Sequence, residues 1–417
     1  MPAALQIDLA TLQREIDDLG SISEAPAPVV TRVLFSEADL RGRAFVKELA
    51  RNAGLALRED AVGNLFARWN GTDASLPPVA TGSHIDAIPN AGRYDGVVGV
   101  LGAIETIRAL RRAGFEPRRS IELILFTAEE PTRFGIGCLG SRLLSGVLAP
   151  EKAAALRDRD GRTLEDWRAT AGYNSAPLAS VRLAQNCYSA FVELHIEQGP
   201  LLEREDIPIG IVEKIAAPAT LHAELTGEGG HAGAVLMPER RDALLAGAEI
   251  ALAVERAVKN TGSPDTVGTT GVFRIEPGAV NSVPCGAHLE IDVRDTRADS
   301  RDAALRAIES AARDIAARRR VTLELTTLHA DPPALCDAAL VGTVARACAA
   351  LDVPFRKMIS RAYHDSLFMA QVCPTTMIFI PCRGGVSHRP DEYSSPEQIR
   401  SGVAVLAETL RQLAGPA

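Results

Sequence analysis

Ser120-Ile-Glu-Leu-Ile-Leu-Phe-Thr-Ala-Glu-Glu-Pro-Thr-Arg133 is an apolar run that ends in two adjacent carboxylates. Its first half, Ser120 to Leu125, has the character of a buried strand in a parallel sheet. Glu129 and Glu130 stand where that strand leaves the core. Adjacent carboxylates repel, and partial burial disfavours both charged forms. One reading is a helix start, where acids suit the dipole and Pro131 suits the first turn. The other is that the pair serves chemistry at a strand end.

Outward from this stretch the pattern repeats. Val79 to Ser83 and Phe191 to His195 read as further short buried strands, and Val97 to Leu110 reads as a helix between two of them. This β-α-β rhythm predicts an α/β fold, a sheet flanked by helices. Ligands of such sheets gather at the carboxyl ends of the strands. His84, Glu129, Glu130 and His195 all fall there. Leu148 to Gln185 is charged and irregular, and reads as an excursion off the sheet without chemistry of its own. From Val212 to Asp331 the order becomes β-α-β-β-α-β, the plan of a ferredoxin-like α+β unit. The α/β pattern resumes near Ala338, with a strand at Thr375 to Ile380 and a closing helix from Pro396 to Leu413. The expected organisation is therefore a discontinuous catalytic domain, 1–212 and 331–417, with a lid or dimerisation domain inserted at 213–330.

Composition narrows the class. A chain of 417 residues is too long for one ordinary core. With 46% hydrophobic and 24% charged residues it should be globular. A net charge of −8 argues against a general binder of nucleic acid or anionic membranes. No apolar run approaches the roughly 20 residues of a membrane span. The N-terminus lacks the basic start and apolar core of a signal peptide. The seven cysteines include no Cys-x-x-Cys pair, which suits a reducing cytoplasm and argues against a structural zinc knuckle.

Candidate ligands occupy separated segments: Gly82-Ser-His-Ile-Asp-Ala87, Gly92-Arg-Tyr-Asp-Gly96, the Glu129-Glu130 pair, His195-Ile-Glu-Gln-Gly199 and Ser387-His388. Imidazole and carboxylate donors without thiolate suit Zn²⁺, Mn²⁺ or Co²⁺. A carboxylate that bridges two ions makes a two-metal site. The paired acids then divide their work. Glu130 binds metal, and Glu129 stays off the metal as the base that moves a proton.

These segments resemble the M20 metallohydrolases, in their amidase and carbamoylase branch, over nearly the whole chain. The resemblance implies that His84, Asp95 and His195 hold one ion, and that Asp95, Glu130 and His388 hold the other. It makes Asp86 the acid that orients His84, and Mn²⁺ the expected ion. Glu129-Glu-Pro-Thr-Arg-Phe-Gly135, Phe191 to Pro200 and Gly230-His-Ala-Gly233 are similar to the ureide-processing members. Within Ser360 to Ala370, Arg361 and Tyr363 replace a Gly-rich approach to His364-Asp365, which should shrink the pocket. That stretch and Phe379 to Pro390 imply hydrolysis of the carbamoyl C–N bond of ureidoglycolate in purine and allantoin breakdown. Allantoate and N-carbamoyl-L-amino acids are the alternative substrates. By the same resemblance, His231 and Asn281 stabilise the oxyanion from a partner subunit, and Arg294 grips the substrate carboxylate. Gln198, Tyr363, His364 and Gly384 complete the pocket, and the inserted domains pair their sheet edges in a homodimer. A non-catalytic ureide-binding relative would have lost Glu129 or a ligand, and none is lost.

Overall fold

A computed structural model describes residues 5–417. They form two compact units: 5–213 with Leu335–Met358 and His364–Ala417, and Lys214–Ala334 with Ile359–Tyr363. The short segment Ile359–Tyr363 was expected in the catalytic part. It joins the second unit because Ala216 N–H donates to the Ser360 carbonyl at 2.8 Å and Arg361 pairs with Asp265 at 2.9 Å.

The first unit is built on a nine-stranded mixed sheet. Its centre is four parallel strands in the order Thr375–Ile380, Ala190–Ile196, Val79–Ser83 and Ile121–Leu125. All four are buried along their whole length, as their apolar runs require. Leu65–Trp69 and Ile209–Ile215 flank this centre antiparallel. The helices Val97–Arg112 and Pro396–Ala414 pack on the central strands and on each other. Small residues allow the close approach. A Cβ at Gly99 would lie 2.4 Å from the Leu194 carbonyl oxygen.

Gly82 is tighter still, because a Cβ there would come within 1.9 Å of the Ile124 carbonyl oxygen on the neighbouring strand. Backbone in a central sheet cannot yield as a side chain can. Gly82→Ala should cost about 3 kcal/mol or more, the upper range for overpacking. Urea unfolding checks this, and an unchanged midpoint would contradict it.

The helix-start reading of Glu129-Glu130 does not hold. No helix begins at Pro131; the next one is Leu139–Ser145. The chain instead turns sharply at Ala128, whose φ of 53° lies in the left-handed region and is strained for a residue with a Cβ. Cys138 N–H donates to the Glu129 carbonyl and Leu139 N–H to that of Ala128, at 2.8 and 2.9 Å, which closes the loop. The excursion after Leu148 stays off the sheet, as expected, and its Leu164, Tyr173, Leu178 and Val181 join Phe66, Phe126 and Phe191 in one buried cluster.

The second unit carries a four-stranded antiparallel sheet in the order Val267–Glu276, Gly286–Asp295, Ala217–Thr226, Thr322–Ala330. The helices Ala243–Lys259 and Ala298–Arg319 pack on it. Together these give the ferredoxin-like order read from the sequence. Alternation sets the faces: Leu289, Ile291 and Val293 point into its core, while His288, Glu290 and Asp292 point away. Among the described residues no helix is long and apolar enough to cross a membrane.

Candidate active site

Each candidate ligand sits where a strand of the first unit ends or a connection begins. His84 follows the strand Val79–Ser83, and His195 lies near the end of Ala190–Ile196. Asp95 precedes the helix Val97–Arg112, and His388 stands in a turn with φ 59°. Gly96, with φ 65°, lets the Asp95 turn press against His84; a Cβ there would fall 2.5 Å from His84 Nε2.

These residues converge. Asp95 Oδ1 lies 3.1 Å from His195 Nε2 and 3.4 Å from His84 Nε2. Asp95 Oδ2 lies 3.3 Å from His388 Nε2, which is in turn 3.2 Å from Glu130 Oε1. One carboxylate thus offers an oxygen to each of two clusters, His84-Asp95-His195 and Asp95-Glu130-His388. The donor set is nitrogen and oxygen only, which suits hard or borderline divalent ions. The imidazoles are oriented for this. His84 Nδ1 faces the Asp86 carbonyl at 3.1 Å and His195 Nδ1 faces the Ile196 carbonyl at 2.9 Å. With Nδ1–H held by a carbonyl, each Nε2 is directed at Asp95. His84 Nε2 is fully buried and makes no close hydrogen bond, facing Asp95 Oδ1 at 3.4 Å, as suits a ligand atom rather than a structural histidine. The first unit therefore holds a di-metal type of site.

Electrostatics agree. Burial opposes the charge on Asp95, but the bonds to His195, His388 and His84 outweigh it and hold its carboxyl well below the usual range. His388, half-exposed, is pushed up to about 11 by Asp95 and Glu130. Burial works against a charged His84, yet Glu129, Asp86 and Asp95 raise it well above its ordinary value. Burial also pushes Glu129 well up, helped by Glu130, Asp365 and Asp95 and opposed by His84.

The neighbouring carboxylates favour the protonated forms of His84 and His388, and a bound cation competes with those protons. Mn²⁺ affinity should therefore rise with pH, with protons released on binding. Calorimetry in buffers of different ionisation enthalpy measures this, and proton uptake would contradict the site.

The Asp86 carboxylate bonds chiefly to the acid pair. Its Oδ1 accepts from Glu129 N–H at 3.2 Å and its Oδ2 from Glu130 N–H at 3.0 Å. Its carboxylate lies 3.5 Å from His84 Nδ1. The acid pair is thus fixed through its backbone, and its side chains diverge: Glu130 towards His388, Glu129 to within 3.8 Å of His84 Nε2. Gln198, expected in the substrate pocket, donates from Nε2 to Asp95 Oδ2 at 2.6 Å. Gly384 donates its N–H to Glu203 at 2.6 Å.

His364 packs on His195, with ring centroids 4.5 Å apart. With Glu193 these two could form a third ligand cluster, but both nitrogens of His195 are already directed elsewhere. Glu193 acts as a support. It accepts from Ser83 Oγ at 2.8 Å and from Ser366 N–H and Oγ at 3.2 and 2.5 Å. The sequence reading missed it, although a glutamate inside Phe191-Val-Glu-Leu-His195 breaks an apolar strand and signals a buried polar tie. It also missed Glu392, for which no local signal exists.

The remaining candidates lie in the second unit. His231 is exposed and pairs in register with Ser282. Ala232 N–H donates to the Asn281 carbonyl at 2.8 Å, so His231 and Asn281 lie side by side. Arg294 donates from Nε to Asp292 at 2.7 Å, and its guanidinium stands 5.3 Å from the centre of the Tyr363 ring. Tyr363 reaches Arg294 because Ile359–Tyr363 belongs to this unit.

The fold and the paired clusters define a hydrolase of the di-metal α/β type. Residues 80–412 match peptidase family M20/M25/M40, and the chain belongs to this family. It is 54% identical to the ureidoglycolate hydrolase of Arabidopsis thaliana, covering 99% of this chain and 88% of that one. It is 37% identical to the N-carbamoyl-L-amino acid amidohydrolase of Geobacillus stearothermophilus, covering 97% of this chain and 98% of that one. The crystal structures of AtUAH in complex with glyoxylate and with (S)-hydroxyglycine superpose with a TM-score of 0.93 at 53% identity, covering 99% of both chains.

Proposed function

We propose that this hydrolase cleaves the carbamoyl C–N bond of ureidoglycolate in the breakdown of purine-derived ureides. The observation that carries the reading is the 54% identity, over 99% of the chain, to a ureidoglycolate hydrolase. The AtUAH complexes add to it, since (S)-hydroxyglycine and glyoxylate are the fragments this reaction leaves. Water adds to the carbamoyl carbon and the bond to the substituted nitrogen breaks. Carbamate and hydroxyglycine leave, then decay to carbon dioxide, ammonia and glyoxylate.

His84, Asp95 and His195 would hold one divalent ion, and Asp95, Glu130 and His388 the second, with Mn²⁺ the ion we infer. Bound there, the ions supply Lewis-acid polarisation of the ureide carbonyl and ease the ionisation of water. The chain's own residues do the rest. Glu129 takes the proton of the attacking water and gives it to the leaving nitrogen. His231 and Asn281 of the partner subunit donate to the developing oxyanion. Arg294, with its Nε on Asp292 and its guanidinium beside Tyr363, grips the substrate carboxylate as a bidentate pair. Gln198, Tyr363, His364 and Gly384 would contact the substrate, Gln198 also donating to Asp95.

A homodimer through the second unit accompanies this reading. Its edge strand Val267–Glu276 exposes Val267, Phe273 and Ile275, an apolar edge suited to strand pairing. The seven free cysteines suit a cytoplasmic setting. The test is to load the protein with Mn²⁺ and measure ammonia and glyoxylate from ureidoglycolate, allantoate and N-carbamoyl-L-amino acids. Ureidoglycolate should be preferred, and faster turnover of either rival would overturn the substrate assignment.

A further inference from the structure

The hydrogen bonds around the His388 turn lead to a carboxylate outside the ligand set. Glu392 is 4% exposed. Its Oε1 accepts from Tyr94 N–H at 2.8 Å and from Asp95 N–H at 3.1 Å. Its Oε2 lies 2.9 Å from Ser387 Oγ, and that hydroxyl lies 2.8 Å from Asp95 Oδ2. Glu392 N–H closes its own turn on the Arg389 carbonyl at 3.1 Å. The fit is close, because a Cβ at Gly92 would come 2.4 Å from Glu392 Cβ. The loop that carries Asp95 therefore rests directly on this side chain.

We propose that Glu392 is a positioning residue for the metal centre, tying Asp95 and the Ser387-His388 turn into one register so that both ion positions depend on it. The tie is economical in atoms. One oxygen fixes the backbone of the shared ligand. The other reaches the side chain of that ligand, and the turn bearing His388, through a single hydroxyl. Without it, Asp95 keeps Gln198 and Ser387 on its Oδ2, but the backbone of its loop loses its tie to the Ser387-His388 turn and the two ligands can drift out of register. Partners that hold metal ligands in place typically cost about 10- to 100-fold in metal affinity when removed.

The proposal rests on the two-ion reading, and the test separates the two. Mn²⁺ is titrated by calorimetry into metal-free wild type, Glu392→Ala, Glu392→Gln and Glu408→Ala, and each metal-free protein is melted. Glu408 is a buried carboxylate bonded to Arg411 and Gln412 on its own helix, so it reports on general loss of a structural acid. Glu392→Ala should weaken Mn²⁺ binding about 10- to 100-fold. Glu392→Gln should recover most of it, since its carbonyl can accept both N–H groups and its amide can donate to Ser387. Glu408→Ala should lower the melting temperature and leave Mn²⁺ affinity unchanged. Wild-type affinity in Glu392→Ala would overturn the proposal. Where that variant does not fold, Glu392→Asp draws the carboxylate back from both arms of the tie, and unchanged affinity there overturns it equally. A wild-type protein that binds no Mn²⁺ would instead refute the two-ion reading, and this role with it.

Discussion

Glu129→Gln should lower kcat on ureidoglycolate by about 10²- to 10⁴-fold, the range for loss of a general base, while fold and Mn²⁺ content stay at wild-type levels. The fold should tolerate the change because burial already works against a charge at this position. Gln keeps the shape of the side chain and can still accept from the Cys138 thiol, which lies 3.7 Å from Oε1. KM should move little, because the variant removes proton transfer and not a contact to bound substrate. Undiminished turnover would remove Glu129 from the mechanism. Loss of Mn²⁺ would make it a ligand instead, contrary to its absence from the ligand clusters.

Asp95→Ala should abolish binding of both ions and activity with them, by more than about 100-fold, the upper end of what loss of an outer partner costs. The reason is geometric. Among the described residues, Asp95 is the one shared by His84-Asp95-His195 and Asp95-Glu130-His388. His388→Ala, in contrast, removes a ligand from one cluster only and should leave one ion per chain. Metal analysis of the purified variants distinguishes the two patterns. Loss of a single ion in Asp95→Ala would show that its carboxylate does not bridge. The variant should also free His84, His195 and His388 from their strongest common acceptor. Their imidazole titrations, followed by NMR in the metal-free protein, should then move down in pH.

Much of the architecture was legible because its signals are local. Four buried parallel strands announce themselves as short apolar runs, and strand ends in such sheets are where ligands collect. The alternation in His288-Leu-Glu-Ile-Asp-Val-Arg294 sets the faces of the second sheet directly. The acid pair was half legible. Two carboxylates after a buried strand mark a site, but the helix start suggested by Pro131 does not form. The left-handed turn at Ala128 is dictated by what packs around it, Asn64 and Leu139 included. Glu193 could have been found, as a lone charge inside an apolar strand.

The sequence alone determined the α/β and ferredoxin-like patterns, the residue types able to hold metal and the family resemblance, since periodicity and motif spacing are properties of neighbours along the chain. Only the tertiary structure decided that Asp95 gives one oxygen to each cluster, that Asp86 holds both acids by their backbone, and that Ile359–Tyr363 crosses to the second unit. It alone brought Glu392 to Tyr94, 298 residues away. A contact of that separation leaves no period and no local composition to read. It exists because the sheet orders its strands out of sequence, and so brings together loops that the chain keeps far apart.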